Sequence, residues 1–245
     1  MPRNKITKVD LSQRVIQCSG GLSSAMMTLL LKPTTDDIII FTDTGREFPA
    51  TYKFLDDIEK NEGIKIHRIE NKETFSELVI RKKTVPNMFQ RFCTQELKIR
   101  ASKRYLRSLG IQSFTQFIGF RADEQKRIRA YEDRNVKVQT EFPLDTLGIN
   151  KAKVEAFWKT KSYSLEIPRI LGNCDLCFLK GKQAIVNILT WYPALADKWI
   201  MDERKTGRTY FEDISYSRLL EISKSQPTLF SLQEEKPTHT CQCGP

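Results

Sequence analysis

Apolar and polar positions alternate along this chain in blocks that change period. RVIQC (14–18) is a short apolar run that breaks at Ser19-Gly20-Gly21, after which SSAMMTLLL reads as a buried helix. DIIIFT (37–42) is a β-branched run suited to a strand covered on both faces, and it leads through Asp43-Thr44-Gly45 into the helical stretch PATYKFLDDIEKNEG. IKIHRIE (64–70) predicts the next strand, TQELKIRASKRYLRSLG (94–110) a basic amphipathic helix closed by Gly110, and SFTQFIGF (113–120) a further strand. Strands alternating with helices predict a doubly wound, mostly parallel α/β sheet of about five strands. Its first strand should end at Cys18, with the glycine turn at the carboxyl edge.

From Phe142 the pattern turns helical, in segments such as KAKVEAFWKT and KQAIVNILTWYP interrupted by GNCDLCFLKGK. The expected organisation is an α/β core over 1–142, a helical C-terminal region over 143–230 packed on that core, and a Cys-containing tail over 231–245 that lacks periodicity.

Charge narrows the partners. Forty Lys and Arg against thirty Asp and Glu leave a formal +10 over 245 residues. That excess suits phosphate-bearing partners, from a nucleotide to a nucleic acid, with a merely solvated basic surface as the alternative. No run approaches the roughly 18 apolar residues of a membrane span, and the start MPRNKITKVD has no apolar signal run, so a cytoplasmic protein is expected. Six cysteines in that compartment point to metal or redox chemistry rather than a disulfide framework.

Two segments have the character of anion sites. Ser19-Gly20-Gly21-Leu22-Ser23-Ser24 lies between a predicted strand and a predicted helix, where glycines allow close backbone approach and the helix start offers N–H groups; a plain glycine turn with a Ser cap is the alternative. RADEQKR (121–127) follows another strand, so Arg121 and Arg127 are placed to clamp a phosphate or sulfate, or else to make ordinary surface pairs. His67 and His239 read as structural or solvated, and Trp158, Trp191 and Trp199 as core.

SGGLSS resembles the PP-loop motif SGGxDS, and FTDTGREFPATYKFLDDI (41–58) is similar to the segment after the second strand in phosphoadenylyl-sulfate (PAPS) reductases. RFCTQELKI (91–99), GFRADEQKR (119–127) and GNCDLCFLKGK (172–182) look like three further blocks of that family in the same order. The resemblance implies a PP-loop, Rossmann-like fold binding an adenine nucleotide, whether ATP, adenylyl sulfate or PAPS. The implied nucleotide-binding residues are Ser19, Gly20, Gly21, Ser23, Ser24, Asp43, Thr44, Gly45, Arg121 and Arg127. Ser23 stands where ATP pyrophosphatases carry an acid, which argues against ATP cleavage and is shared with sulfonucleotide reductases.

The family resemblance also implies chemistry for the cysteines. Cluster-bearing reductases have a CC pair upstream of a CxxC; here Phe92-Cys93 and Cys174/Cys177 supply only three thiolates, with Cys241, Cys243 or a non-protein ligand at an open iron left as the fourth. An iron-sulfur cluster, zinc on the same residues and plain thiols are the readings left open. The tail CQCG matches the family's nucleophilic CG in Cys243-Gly244. In that chemistry a thiolate attacks the nucleotide's sulfate sulfur, and an external thiol reductant resolves the thiosulfonate. Three rivals to a sulfonucleotide reductase remain: an ATP-dependent adenylating or thiolating enzyme acting on nucleic acid, a non-catalytic nucleotide-binding accessory protein of a mobile-element or defence system, and a zinc-clipped nucleic-acid module.

Overall fold

The computed structural model describes residues 12–131, 138–167 and 174–225. Along the chain the elements are β1 (Arg14–Gln17), α1 (Leu22–Leu30), β2 (Ile38–Thr42), α2 (Pro49–Glu62), β3 (Ile66–Ile69), α3 (Phe75–Lys82), α4 (Arg100–Ser108), β4 (Phe114–Ile118), α5 (Gln125–Ala130), β5 (Val138–Glu141), α6 (Pro143–Thr146), α7 (Lys151–Lys159), α8 (Lys182–Trp191), α9 (Ala196–Thr206) and α10 (Tyr216–Ser225). A π-helical stretch, Thr94–Ile99, runs directly into α4.

The five strands form one parallel sheet in the order β3-β2-β1-β4-β5, as the alternating pattern predicts. The register pairs Ile16 with Ile39 on one side and with Phe117 on the other. Central strands of a parallel sheet are covered on both faces, and accordingly Val15, Ile16, Ile39, Ile40, Phe41, Phe114, Phe117 and Ile118 are all buried. β1 ends at Gln17, one residue earlier than the apolar run suggests, although the Cys18 amide still donates to the Ile40 carbonyl at 2.8 Å. β5 has no counterpart in the sequence reading, because VQTE carries a single apolar residue and an edge strand needs no buried stripe. The predicted helix over 94–110 is interrupted in kind: its first six residues are π-helical and only Arg100–Ser108 is α, with Gly110 beyond it at φ +79°.

The described residues fall into two units. The first draws on residues 12–41, 55–68, 102–131 and 138–164, the second on 42–54, 69–101, 165–167 and 174–225. In the first unit α7 packs on α1 and Trp158 Nε1 donates to the Leu22 carbonyl at 2.9 Å, tying the start of α1 down. Buried Gln116 on β4 is satisfied by donating to Thr140 Oγ1 (2.7 Å) and Tyr131 Oη (3.0 Å). His67 is structural, its Nδ1 2.6 Å from Tyr105 Oη, and burial lowers its pKa.

In the second unit α3 starts with a capping box between Thr74 and Glu77 and packs on α9, while α8 packs on α10. Its core is aromatic: Phe75, Trp199, Tyr210 and Tyr216 contact one another edge-on and stacked. Acidic side chains lie inside it. Asp175 accepts from Trp199 Nε1 at 2.9 Å, Glu203 accepts the Tyr210 and Tyr216 amides at 3.1 and 2.8 Å, and burial raises both carboxyl pKa values. Trp158 and Trp199 are core as expected; Trp191, at the exposed end of α8, is not, being 53% exposed.

Ile16 touches neighbouring strands on both sides and is fully buried. Ile16→Ala should therefore cost about 2–5 kcal/mol. Urea denaturation should show this as a lowered midpoint with the slope unchanged.

Candidate functional site

In the first unit the chain leaves β1 through Cys18, whose thiol is wholly buried and whose pKa burial raises. Gly20 then takes φ +78°, a conformation that favours glycine, and Gly21 returns to extended backbone at the start of α1. Ser24 staples this turn: its Oγ accepts the Ser19 amide at 3.0 Å, lies 3.0 Å from Ser19 Oγ, and donates to the Gly21 carbonyl at 3.0 Å. No side chain caps α1 and no acid lies in its first turn. The helix start therefore keeps its positive end directed to whatever occupies the turn.

β4 lies beside β1, so the segment Gly119-Phe120-Arg121 emerges next to the glycine turn. The two backbones approach so closely that a Cβ on Gly119 would sit 2.7 Å from Ser24 Cα and 3.0 Å from Ser24 N. Arg121 Nη1 donates to Ser23 Oγ at 3.2 Å, while Nε and Nη2 grip Asp123 at 3.0 and 3.3 Å. Arg127 Nη1 pairs with Glu124 Oε1 at 2.5 Å, and its guanidinium lies 4.1 Å from the Phe120 ring centroid. Glu124, nearly buried, also approaches Arg121 at 3.3 Å, so one carboxylate orients both cations. The strand order runs outward in both directions from β1 and β4, which makes their carboxyl ends the topological switch point where open α/β sheets bind ligands.

Thus Ser19, Gly20, Gly21, Ser23, Ser24, Arg121 and Arg127 belong to one neighbourhood. Gly119 and Glu124 are two members that the sequence reading missed. The only signal for Gly119 was a glycine between a strand and a charged turn, and the meaning of that glycine depends on which strand lies beside it.

Asp43, Thr44 and Gly45 belong to the second unit. Gly45 has φ +71°, and its amide donates to Asp43 Oδ1 at 2.7 Å, an Asx turn. Tyr52 Oη donates to the same oxygen at 2.8 Å; burial, then Asp43, raises its pKa. Asn71 Nδ2 donates to the Asp43 carbonyl (2.8 Å) and the Leu97 carbonyl (2.9 Å), and Thr44 Oγ1 donates to Glu47 Oε1 at 2.9 Å. Asp43 is thus already engaged in holding its own turn.

The second unit also contains a cavity of about 20 Å³ lined by Cys93, Cys174 and Cys177, together with Thr44, Arg91 and Lys98, against the apolar walls of Phe75, Phe178 and Trp199. Its volume suits about one water-sized guest. Cys93 stands at the start of the π-helix, and Cys174 forms a backbone bridge with Glu47, toward whose Oε1 its thiol points at 3.9 Å. The three thiols therefore share a cavity. Among the described residues no group of three or more His, Cys, Asp or Glu side chains is gathered to hold a metal ion. Cys241, Cys243 and His239 lie outside the described residues.

Against known protein families, residues 13–158 match the phosphoadenosine phosphosulfate reductase domain. The chain belongs to that family. The matched span holds the glycine turn, the DTG segment and the Arg121 turn, and stops before Cys174 and Cys177. Among relatives, the chain is 27% identical to the uncharacterized nin region protein ORF290 of Escherichia phage lambda, over 87% of this chain and 78% of the phage protein. It is 33% and 32% identical to two uncharacterized proteins of Methanocaldococcus jannaschii, over 76% and 80% of this chain but only 40% and 48% of theirs. The chain thus spans less than half the length of these archaeal relatives. A solved PAPS reductase from Candida auris, in a phosphate complex, is 18% identical with a TM-score of 0.47, covering 62% of this chain and 74% of that one.

The clearance at Gly119 makes a direct test. Gly119→Ala should push the Ser24 backbone and destabilise the protein by about 1–3 kcal/mol, whereas Gly63→Ala, strained by its positive φ but facing open space, should cost about 1 kcal/mol. Paired thermal melts distinguish close approach from backbone strain.

Proposed function

We propose that this protein is an adenine-nucleotide-binding enzyme of the sulfonucleotide-reductase type, with the nucleotide's phosphate or sulfate held by the Ser19–Ser24 turn and Arg121. The observation that carries this reading is the uncapped start of α1, set beside an arginine already oriented by Asp123 and Glu124, at the switch point of a parallel sheet. Backbone N–H groups and a planar guanidinium together suit an anion with several oxygens. Membership of the reductase family directs the choice toward sulfonucleotides, and Ser23, in the acidic position of the PP-loop, gives no carboxylate for a metal-bound pyrophosphate.

Cys243 is the proposed nucleophile. Its thiolate sulfur bonds to the sulfate sulfur as the bond to the nucleotide's phosphate oxygen breaks, leaving a Cys–S–SO₃⁻ thiosulfonate and a nucleotide phosphate; an external dithiol then releases sulfite and becomes a disulfide. Cys93, Cys174 and Cys177, with Cys241, are the residues proposed for an iron-sulfur cluster or zinc. The cavity shared by Cys93, Cys174 and Cys177 supports this, and no step is assigned to such a group. The +10 charge favours a nucleic-acid partner as the second reading.

Calorimetry with ATP, AMP, adenylyl sulfate and PAPS should show binding, strongest for a sulfonucleotide. Gly21→Asp should abolish it by placing negative charge in the turn, and Arg121→Ala should weaken it by about tenfold or more, as expected for loss of a charge-assisted contact of roughly 1.5–3 kcal/mol. Absence of affinity for all four ligands would refute the nucleotide reading. For the thiols, iron, sulfide and zinc analysis of anaerobically purified protein should detect metal that Cys174→Ser removes; metal-free wild-type protein excludes that role.

A further inference from the structure

Arg46 follows the DTG turn directly, and its side chain is only 2% exposed. Its Nη2 donates to Asp202 Oδ2 at 2.5 Å and to Ser76 Oγ at 2.9 Å. Its guanidinium carbon lies 4.8 Å from the Phe75 ring centroid and 4.9 Å from that of Trp199, so the cation rests against both rings. Asp202, on α9 and fully buried, also accepts from Tyr210 Oη at 3.1 Å. The main chain of Arg46 is held as well: its carbonyl accepts the Asp175 amide at 2.8 Å, and its amide lies 3.4 Å from Thr44 Oγ1.

This pair is an expensive way to stabilise a core. Both charges are removed from water, and among the described residues Arg46 Nη1 and Asp202 Oδ1 have no hydrogen-bond partner. Apolar residues of similar volume often serve a buried site equally well or better. A guanidinium fork does what apolar packing cannot: it fixes direction.

We propose that Asp202 is a positioning residue for the Asp43-Thr44-Gly45 turn, acting through Arg46 to lock it in one conformation. It touches no ligand itself. This rests on the reading that the DTG turn contacts the nucleotide, and it gives α9, which lies beyond the matched family domain, the part of fixing that turn.

The test compares the wild type, Asp202→Asn and the double variant Arg46→Met/Asp202→Leu by thermal melting, amide hydrogen exchange and nucleotide calorimetry. In Asp202→Asn the Gly45 and Asp175 amides should exchange about tenfold faster or more, and nucleotide affinity should fall by a similar factor. The double variant should recover the wild-type melting temperature while exchange stays fast and affinity stays low. A double variant with wild-type exchange and affinity reduces the pair to packing and overturns the proposal, as does an Asp202→Asn protein unchanged in both. A wild type that binds none of the four nucleotides defeats the reading of the site instead; the exchange measurement then still decides whether the pair holds the turn.

Discussion

The contact that organises the first unit is the approach of two backbones, Gly119 at the end of β4 and Ser24 in the first turn of α1. Parallel pairing of β1 with β4 brings the two strand ends side by side, and the absence of a side chain at Gly119 lets the glycine turn settle against them. Most of the candidate anion site follows from that geometry. Ser24 spends its hydroxyl on the turn, α1 starts without a cap, and Arg121 reaches Ser23 from the neighbouring strand end. The groups are preorganised before any ligand arrives, so little ordering is left for binding to oppose.

The second unit is held by different means. Its aromatic core encloses ionisable groups, and each has specific partners: Glu203 in two backbone amides, Asp175 on Trp199, Asp202 between Arg46 and Tyr210. Low polarity around such groups makes correct pairing strong and mispairing costly. The elements so joined, the DTG turn, α3, the Cys174 segment and α9, are far apart in sequence, so each bond also specifies which segment meets which.

The same environment bears on the thiols. Cys93, Cys174 and Cys177 face one small cavity beside Arg91 and Lys98. That suits metal binding and nucleophilic chemistry alike, and the cavity itself does not choose between them. The family match ends before the CxxC, so membership of the reductase family rests on residues 13–158 and not on Cys174 and Cys177.

Sequence alone determined the class of fold and the location of the anion turn. β-branched runs ending in Gly or Asp-Thr-Gly have few structural solutions, and a parallel sheet with glycine turns at its carboxyl ends is the one consistent with right-handed crossovers. It did not determine β5, whose four residues carry one apolar side chain, nor the π-helical start at Thr94, because both depend on neighbours rather than on periodicity. The roles of Gly119, Glu124 and Asp202 were likewise invisible in the string. A glycine is demanded by the backbone that presses on it, and a buried acid by the cation it meets, and in each case that partner comes from a distant segment. Only the tertiary structure decided those partners, and it also decided that three cysteines distant in sequence line one cavity.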